Sequence, residues 1–158
     1  MIITIHSIGI IKNSPISELQ EDYKNRIANQ GKLIGIKDVI IKENRSSKKK
    51  DFKARTHEEF TRLTKDKDKN SFKILLDRKG KRVDSENISQ LIKDIMEIGQ
   101  NINFYIGGSD GIANKNYNNF DKIITFGELT WPHRMFRIML MEQIYRALTI
   151  INNHPYHK

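Results

Sequence analysis

The chain of 158 residues contains no cysteine. This absence excludes disulfide bonds, iron–sulfur clusters and zinc sites with thiolate ligands. The five histidines do not replace the missing thiolates, because no pair of them has the i, i+4 or H-E-x-x-H spacing of a zinc-binding helix. The sequence therefore predicts a protein without a metal site.

Long apolar runs are absent too, and no segment approaches the roughly 20 residues that a membrane-spanning helix requires. The first residues, Met1 to His6, show neither the basic lead nor the cleavage site of a secretory signal. We therefore expect a cytoplasmic protein with no membrane segment.

Several common catalytic and nucleotide-binding motifs are also missing. The chain has no G-x-S-x-G nucleophile motif and no P-loop, so no sequence motif indicates a hydrolase. The glycines Gly107, Gly108 and Gly111 follow the fourth expected strand and do not form G-x-G-x-x-G. This arrangement argues against a nicotinamide dinucleotide site, and a tight turn would use the same residues.

Positive charge, in contrast, is abundant. The 28 Lys and Arg residues against 19 Asp and Glu residues give a formal net charge of +9. Such a field attracts polyanions, so nucleic acid is the favoured partner, although a lysine-rich genome would give a similar composition. The stretch Lys42–Arg55 is the most basic part, and it is either a solvated surface or a contact for RNA phosphates.

Apolar segments of two kinds alternate along the chain. β-branched and aromatic runs favour strands, and apolar residues at helical spacing favour the helices between them. Strands are expected at 2–8, 33–41, 72–76, 103–106 and 122–126, with helices after Ser14, before Lys65, after Asp84 and from His133 to about Ile151. This order predicts an α/β fold, with a mainly parallel sheet covered by helices on both faces, as one domain spanning residues 1–158.

The last helix and the residues around it carry the most distinctive pattern. The helix is apolar over most of its circumference, which suggests packing on two sides and a subunit interface. Trp131, in the preceding loop, is read either as core or as part of a site. Arg146 follows Glu142 at ion-pair spacing, so it either forms an intrahelical salt bridge or faces an anionic substrate. The chain then ends in a tail, residues 153–158, rich in rings and basic groups.

Four segments together resemble one family. They are Ile106-Gly107-Gly108-Ser109-Asp110-Gly111, Leu129-Thr130-Trp131-Pro132-His133 with Arg137, Glu142-Gln143-Ile144-Tyr145-Arg146-Ala147, and Asn153-His154-Pro155-Tyr156-His157. In these segments, and in its order of elements over the full length, the chain is similar to the RlmH (YbeA-like) methyltransferases of the SPOUT superfamily, which methylate N3 of a pseudouridine in large-subunit ribosomal RNA. Ser109-Asp110 departs from the usual Pro-Glu of that family but keeps an acid.

The resemblance implies a SPOUT-type fold with a C-terminal trefoil knot, at about residues 101–153, and a homodimer. It also implies that S-adenosylmethionine is bound by three loops after strands. By position, the cofactor-binding residues would be Leu76, Gly108, Gly127, Glu128, Leu129, Thr130, Trp131 and Pro132. The implied partner is 23S ribosomal RNA or the ribosome.

Methylation at N3 requires a proton to leave the ring, so a base or a stabilising cation is expected near the substrate. The candidates for substrate handling are His133, Arg137, Tyr156 and His157, and no base is assigned among them. Arg137 and the basic stretch would hold RNA phosphates, and Tyr156 and His157 would shape the nucleotide pocket. Two alternatives stay open: a non-catalytic RNA-binding or ribosome-assembly factor, and a SPOUT methyltransferase acting on transfer RNA.

Overall fold

The fold is built on one five-stranded sheet in which every pairing is parallel. The computed structural model describes residues 1–66, 68 and 70–157. The strands are β1 (Ile2–Ile8), β2 (Asp38–Asn44), β3 (Ser71–Arg82), β4 (Asn101–Ile106) and β5 (Lys122–Thr125), in the spatial order β2-β1-β4-β3-β5. The helices are α1 (Pro15–Lys32), α2 (Phe52–Leu63), α3 (Ser85–Glu97) and α4 (His133–Ile151), with a 3-10 helix at Asn114–Asn119.

Local sequence explains where the helices begin. Ser14 caps α1 by exchanging hydrogen bonds with Ser17, and Pro15 occupies the first helical position, where no amide donor is needed. Asp84 caps α3 in the same reciprocal way with Asn87. Both starts agree with the sequence prediction.

Alternating side chains of the strands feed two cores. One face packs against α1, α3 and α4, with Ile3, Ile74 and Phe104 among its buried residues. The other face packs against α2 and the 3-10 helix and includes Leu75 and Tyr105. The expected parallel sheet with helices on both faces is thus confirmed.

Two strand predictions are wrong in their bounds. β2 begins at Asp38, because residues after α1 form a turn in which Ile36 N–H bonds to Gly31. β3 does not end at Asp77, since Leu76 and Lys81 both pair with Ile124 and the residues between them form a bulge. At Gly80 the chain runs so close to β5 that an added Cβ would lie within 2.7 Å of Ile124 backbone atoms, which explains the glycine.

Helix α4 has the predicted bounds, but its apolar circumference has an explanation within one chain. The helix lies between α1 and α3, and residues such as Leu140 and Leu148 are fully buried there. Its composition therefore no longer argues for a subunit interface, and the homodimer stays a prediction. None of the described helices has the length and hydropathy needed to cross a membrane.

The sheet buries one histidine whose protonation should change the free energy of unfolding. His6 on β1 is 2% exposed and stacks on Tyr105, with ring centroids 4.7 Å apart. Burial, together with the nearby Lys42 ammonium, lowers the pKa of His6 from 6.5 to about 4. The folded protein therefore keeps this ring neutral at pH values where the unfolded chain protonates it.

We expect the free energy of unfolding to fall as the pH drops from about 6.5 to 4, by about 3 kcal/mol from this group, because the unfolded state binds the extra proton. Urea unfolding at several pH values measures the slope. His6→Asn should flatten it, whereas His57→Asn, at an exposed position, should leave it as in the wild type. An equal slope in both variants would contradict this assignment.

Candidate active site

A cavity of about 470 Å³ lies beside the bulge of β3 and the carboxyl ends of β4 and β5. This size is within the range of small-molecule sites, and the ends of parallel strands are where α/β sheets usually bind ligands. Its lining comes from residues 76–79, 106–112, 125–127 and 129–131, together with Tyr117, His133 and Phe136. The bulge of β3, the loops after β4 and β5, and the start of α4 therefore enclose one space.

The parallel register explains why these distant segments meet. Leu76 of β3 pairs with Ile106 of β4 on one side and with Ile124 of β5 on the other. β4 and β5 consequently end beside the bulge of β3, and the loops that follow them leave the sheet where the bulge lies.

Most residues assigned to the cofactor by the resemblance lie on this cavity. Leu76, Gly108, Gly127, Leu129, Thr130 and Trp131 line it. Glu128 and Pro132 belong to the same loop but are not among the lining residues. Trp131 is 40% exposed, so the interpretation of this side chain as core is wrong.

Sequence reasoning missed the charged residues of the bulge in β3. Asp77, Arg78 and Lys79 line the cavity, although their pattern indicated an ordinary turn. The bulge turns the strand and presents these side chains at the sheet edge. Arg78 donates a hydrogen bond to the Thr130 hydroxyl at 3.3 Å and so connects two walls of the cavity.

Tyr117 and Asp77 form a polar pair inside the cavity. Burial, and the hydrogen bond to the Asp77 carboxylate, raise the pKa of the Tyr117 phenol to about 12. The phenol therefore keeps its proton and donates a hydrogen bond to the carboxylate. Asp77 also accepts from the Lys79 amide at 3.0 Å, which fixes its orientation.

The glycine turn after β4 is held from outside by α2. Asp110 forms an ion pair with Arg55, and Glu59 packs against Gly108, where an added Cβ would overlap the carboxylate. Gly111 has a φ of +68°, a conformation that favours glycine. Close packing thus requires a glycine at position 108, and a positive φ favours one at position 111. The sequence pattern alone could not distinguish these requirements from those of any tight turn.

His133 is the first residue of α4 and lies on the cavity lining. The helix has no side-chain cap, so amides of its first turn are left without an intrahelical acceptor. Phe136, one turn later, packs against Phe126 with ring centroids 5.3 Å apart and closes the apolar side of the cavity. The start of α4 thus presents one titratable ring and one apolar ring to a ligand.

Arg137 does not line the cavity. Its residue exposure is 0%, and its guanidinium donates to Gln20 at 3.1 Å, to the Gly9 carbonyl at 2.6 Å and to Glu43. Burial lowers the pKa of Arg137, and the hydrogen bond to Glu43 opposes that effect. An RNA phosphate cannot reach this side chain in the described arrangement, so the phosphate-binding interpretation of Arg137 is wrong.

Tyr156 and His157 lie against the middle of α4. The Tyr156 hydroxyl donates to Glu142 at 3.2 Å, and the Arg146 guanidinium lies 4.8 Å from the Tyr156 ring centroid. His157 Nδ1 is 3.4 Å from Arg146. Glu142 lies nine positions after His133, which corresponds to about 14 Å along the helix axis. Within one chain the tail and the cavity are therefore separate places.

Arg146 is confirmed as half of an intrahelical ion pair, with its guanidinium 2.7 Å from Glu142. This pair and the cation–aromatic contact with Tyr156 hold the tail to the helix. Among the residues that the structure describes, no three His, Asp or Glu side chains converge in a way that could hold a metal ion.

A parallel sheet with a glycine-lined, partly apolar cavity at one edge of its strands is typical of α/β proteins that bind a ligand there. A family model described as "Predicted SPOUT methyltransferase" matches residues 1–157. The chain belongs to the SPOUT methyltransferase family.

Full-length relatives agree with this assignment. The chain is 35% identical to a protein of Rhizobium leguminosarum bv. trifolii named Ribosomal RNA large subunit methyltransferase H, over 100% of this chain and 99% of the relative. The proteins of the same name from Agrobacterium fabrum and Rhizobium meliloti are 35% and 33% identical, with the same coverage.

The buried position of Arg137 leads to a prediction about stability. Arg137→Ala should lower the free energy of unfolding by about 3 kcal/mol, because it leaves the largely buried Glu43 carboxylate without its counter-charge and the Gly9 carbonyl without its donor. Arg146→Ala is the matched control on the same helix, and its partly exposed pair should cost less than about 1 kcal/mol. Equal losses in urea unfolding would show that burial does not distinguish the two pairs.

Proposed function

We propose that the protein transfers a methyl group from S-adenosylmethionine to N3 of a pseudouridine in 23S ribosomal RNA. The observation that carries this proposal is the meeting of the β3 bulge with the loops after β4 and β5 around one cavity. Those are the loops that the resemblance assigns to the cofactor. The full-length relatives named Ribosomal RNA large subunit methyltransferase H support the choice of substrate.

The residues present fit the proposed cofactor. Gly108 and Gly127 leave backbone groups open to the cavity, as close contact with an adenosine requires. Leu76, Ile106 and Phe126 supply apolar surface for a flat ring. The Asp77 carboxylate on the cavity lining can attract a sulfonium cation, whereas Asp110 is already paired with Arg55.

When bound, S-adenosylmethionine supplies an electrophilic methyl group. The protein then contributes chiefly by alignment, because methyl transfer is a direct displacement that depends on the position of the nucleophile. We propose that Trp131 and Thr130 hold the cofactor's side of the cavity, while His133, Arg78 and Lys79 face the incoming base. The two cations can stabilise negative charge on a ring that has lost its N3 proton.

The basic loop, residues 45–51, is the proposed contact for RNA. Lys48, Lys49 and Lys50 are exposed on it, and together with the net charge of +9 they favour binding to phosphates. A non-catalytic assembly factor would share this charge, but it would have no need for a glycine-lined cavity at the strand ends.

Two further parts of the proposal concern assembly. The tail of one chain lies about 14 Å along α4 from the cavity of that chain, which favours a homodimer in which each tail serves the cavity of the other copy. Tyr156 and His157 would then shape the nucleotide pocket in trans. The trefoil knot at about residues 101–153 and the cytoplasmic location stay predictions.

The function is tested by mapping ribosomal RNA. Mass analysis of 23S RNA from a strain lacking the gene should show one methyl group lost from one pseudouridine. The wild type should restore it and Gly108→Val should not, because the added side chain would overlap the Glu59 carboxylate and displace the glycine turn. Calorimetric titration should detect S-adenosylmethionine binding by the wild type. No binding at millimolar cofactor would favour the assembly factor, and a methyl group lost from transfer RNA instead would favour the other SPOUT activity.

The tail is tested by deleting residues 154–158. We expect cofactor binding to be retained and methylation to be lost, because the deleted rings lie away from the cavity of their own chain. Normal methylation by the deletion variant would contradict the role of the tail.

A mixing experiment tests whether the tail acts in trans. The deletion variant and Gly108→Val are each expected to be inactive alone. Mixed dimers of the two should recover activity, since they contain one intact cavity facing one intact tail. If mixed dimers form and stay inactive, the tail does not act across the interface.

A further inference from the structure

Helix α2 contacts both the basic loop, residues 45–51, and the glycine turn, residues 107–111. Two of its side chains, Arg55 and Glu59, reach both segments at once. The loop is the proposed RNA contact and the turn is the proposed cofactor contact, so the inference below rests on the proposed function.

Arg55 makes the first connection. Its guanidinium forms an ion pair with Asp110 of the turn, and it also donates to the carbonyls of Lys49 at 3.1 Å and Lys50 at 3.2 Å. The planar group with several donors can hold these directions together in a way that a single ammonium cannot. A shift of the loop backbone therefore displaces the partner of Asp110.

Glu59 makes the second connection and is the more buried of the two, with 5% exposure. One carboxylate oxygen accepts from the Ser47 amide of the loop at 2.9 Å. The other lies against Gly108 and has no hydrogen-bond partner among the described residues. A buried carboxylate with one unsatisfied oxygen is costly, so the position has a reason other than stability.

We propose that Glu59 and Arg55 are positioning residues that couple the basic loop to the cofactor-binding glycine turn. Phosphates held by Lys48, Lys49 and Lys50 order the basic loop. Through Arg55 and Glu59, the ordered loop then fixes the position of the glycine turn at the cavity. Because linkage is reciprocal, cofactor and RNA must each raise the affinity for the other by the same factor, and this coupling predicts that cofactor alone orders the loop. The protein then binds cofactor and RNA more tightly together than separately.

The experiment uses the full chain and S-adenosylmethionine alone as the probe, with amide hydrogen exchange as the measurement. In the wild type, saturating cofactor should slow exchange in residues 45–51, although the loop does not line the cavity. Glu59→Ala should abolish this cofactor-dependent change and raise the cofactor dissociation constant about tenfold. Glu59→Gln, which keeps the shape and one acceptor, should retain part of both effects.

Glu58→Ala is the matched control. Glu58 is the neighbouring residue and bonds to Ser47 and Arg62, but not to the glycine turn. A general loosening of the loop would appear equally in both alanine variants and without cofactor, whereas coupling appears only as a cofactor-dependent difference. Arg55→Met, at a partly exposed position, repeats the test if Glu59→Ala fails to fold.

The outcomes separate the two proposals. Cofactor binding by the wild type with no change in exchange of the loop overturns the coupling and leaves the proposed function standing. The same protection in Glu59→Ala or Arg55→Met as in Glu58→Ala also overturns it. A wild-type protein that binds no S-adenosylmethionine overturns the proposed function and the coupling with it.

Discussion

The parallel pairing of β3 with β4 on one side and β5 on the other is the constraint on which the rest of the structure depends. It brings three loops from distant parts of the chain to one edge of the sheet. The bulge in β3 then turns Asp77, Arg78 and Lys79 toward the space that those loops enclose. Without this pairing the glycine turn and the loop before α4 would be unrelated surface features.

The buried arginine shows how the start of α4 is fixed relative to that edge. Arg137 lies one turn after His133 and bonds to Gln20 of α1, to Glu43 of β2 and to the carbonyl after β1. A charge in this position is expensive, and the buried Arg137 Nε has no hydrogen-bond partner among the described residues. Truncation would be costlier still, because it would leave the Glu43 charge uncompensated. The network therefore orients the cavity end of α4 without touching the cavity. The resemblance placed Arg137 at the substrate, whereas in this structure its guanidinium is buried and bonded away from the cavity.

Much of the fold could be predicted because local signals and periodicity agree, as at the caps of α1 and α3 and along α4. The bounds of β2 and the bulge in β3 could not, since both depend on partners elsewhere in the sheet. The site divides in the same way. Loop residues such as Gly108 and Trp131 were found by motif, whereas Glu59 and Arg55 belong to a helix whose charge pattern is that of any exposed surface. Their meaning comes only from contacts with residues about 50 positions away.

The arrangement of charge also explains why no acid–base motif is visible in the sequence. A displacement reaction on a reactive methyl donor requires alignment more than a strong base. The cavity is accordingly lined by backbone and apolar rings. Its cations, Arg78 and Lys79, lie in the bulge of β3. The rings of the tail follow α4 and pack back against it. They contact Glu142, which lies one and a half turns beyond Arg137. Because a helix has a fixed rise, these rings cannot approach the cavity of their own chain without leaving that contact. A site that needs both must therefore be completed by a second copy or by a large movement of the last residues.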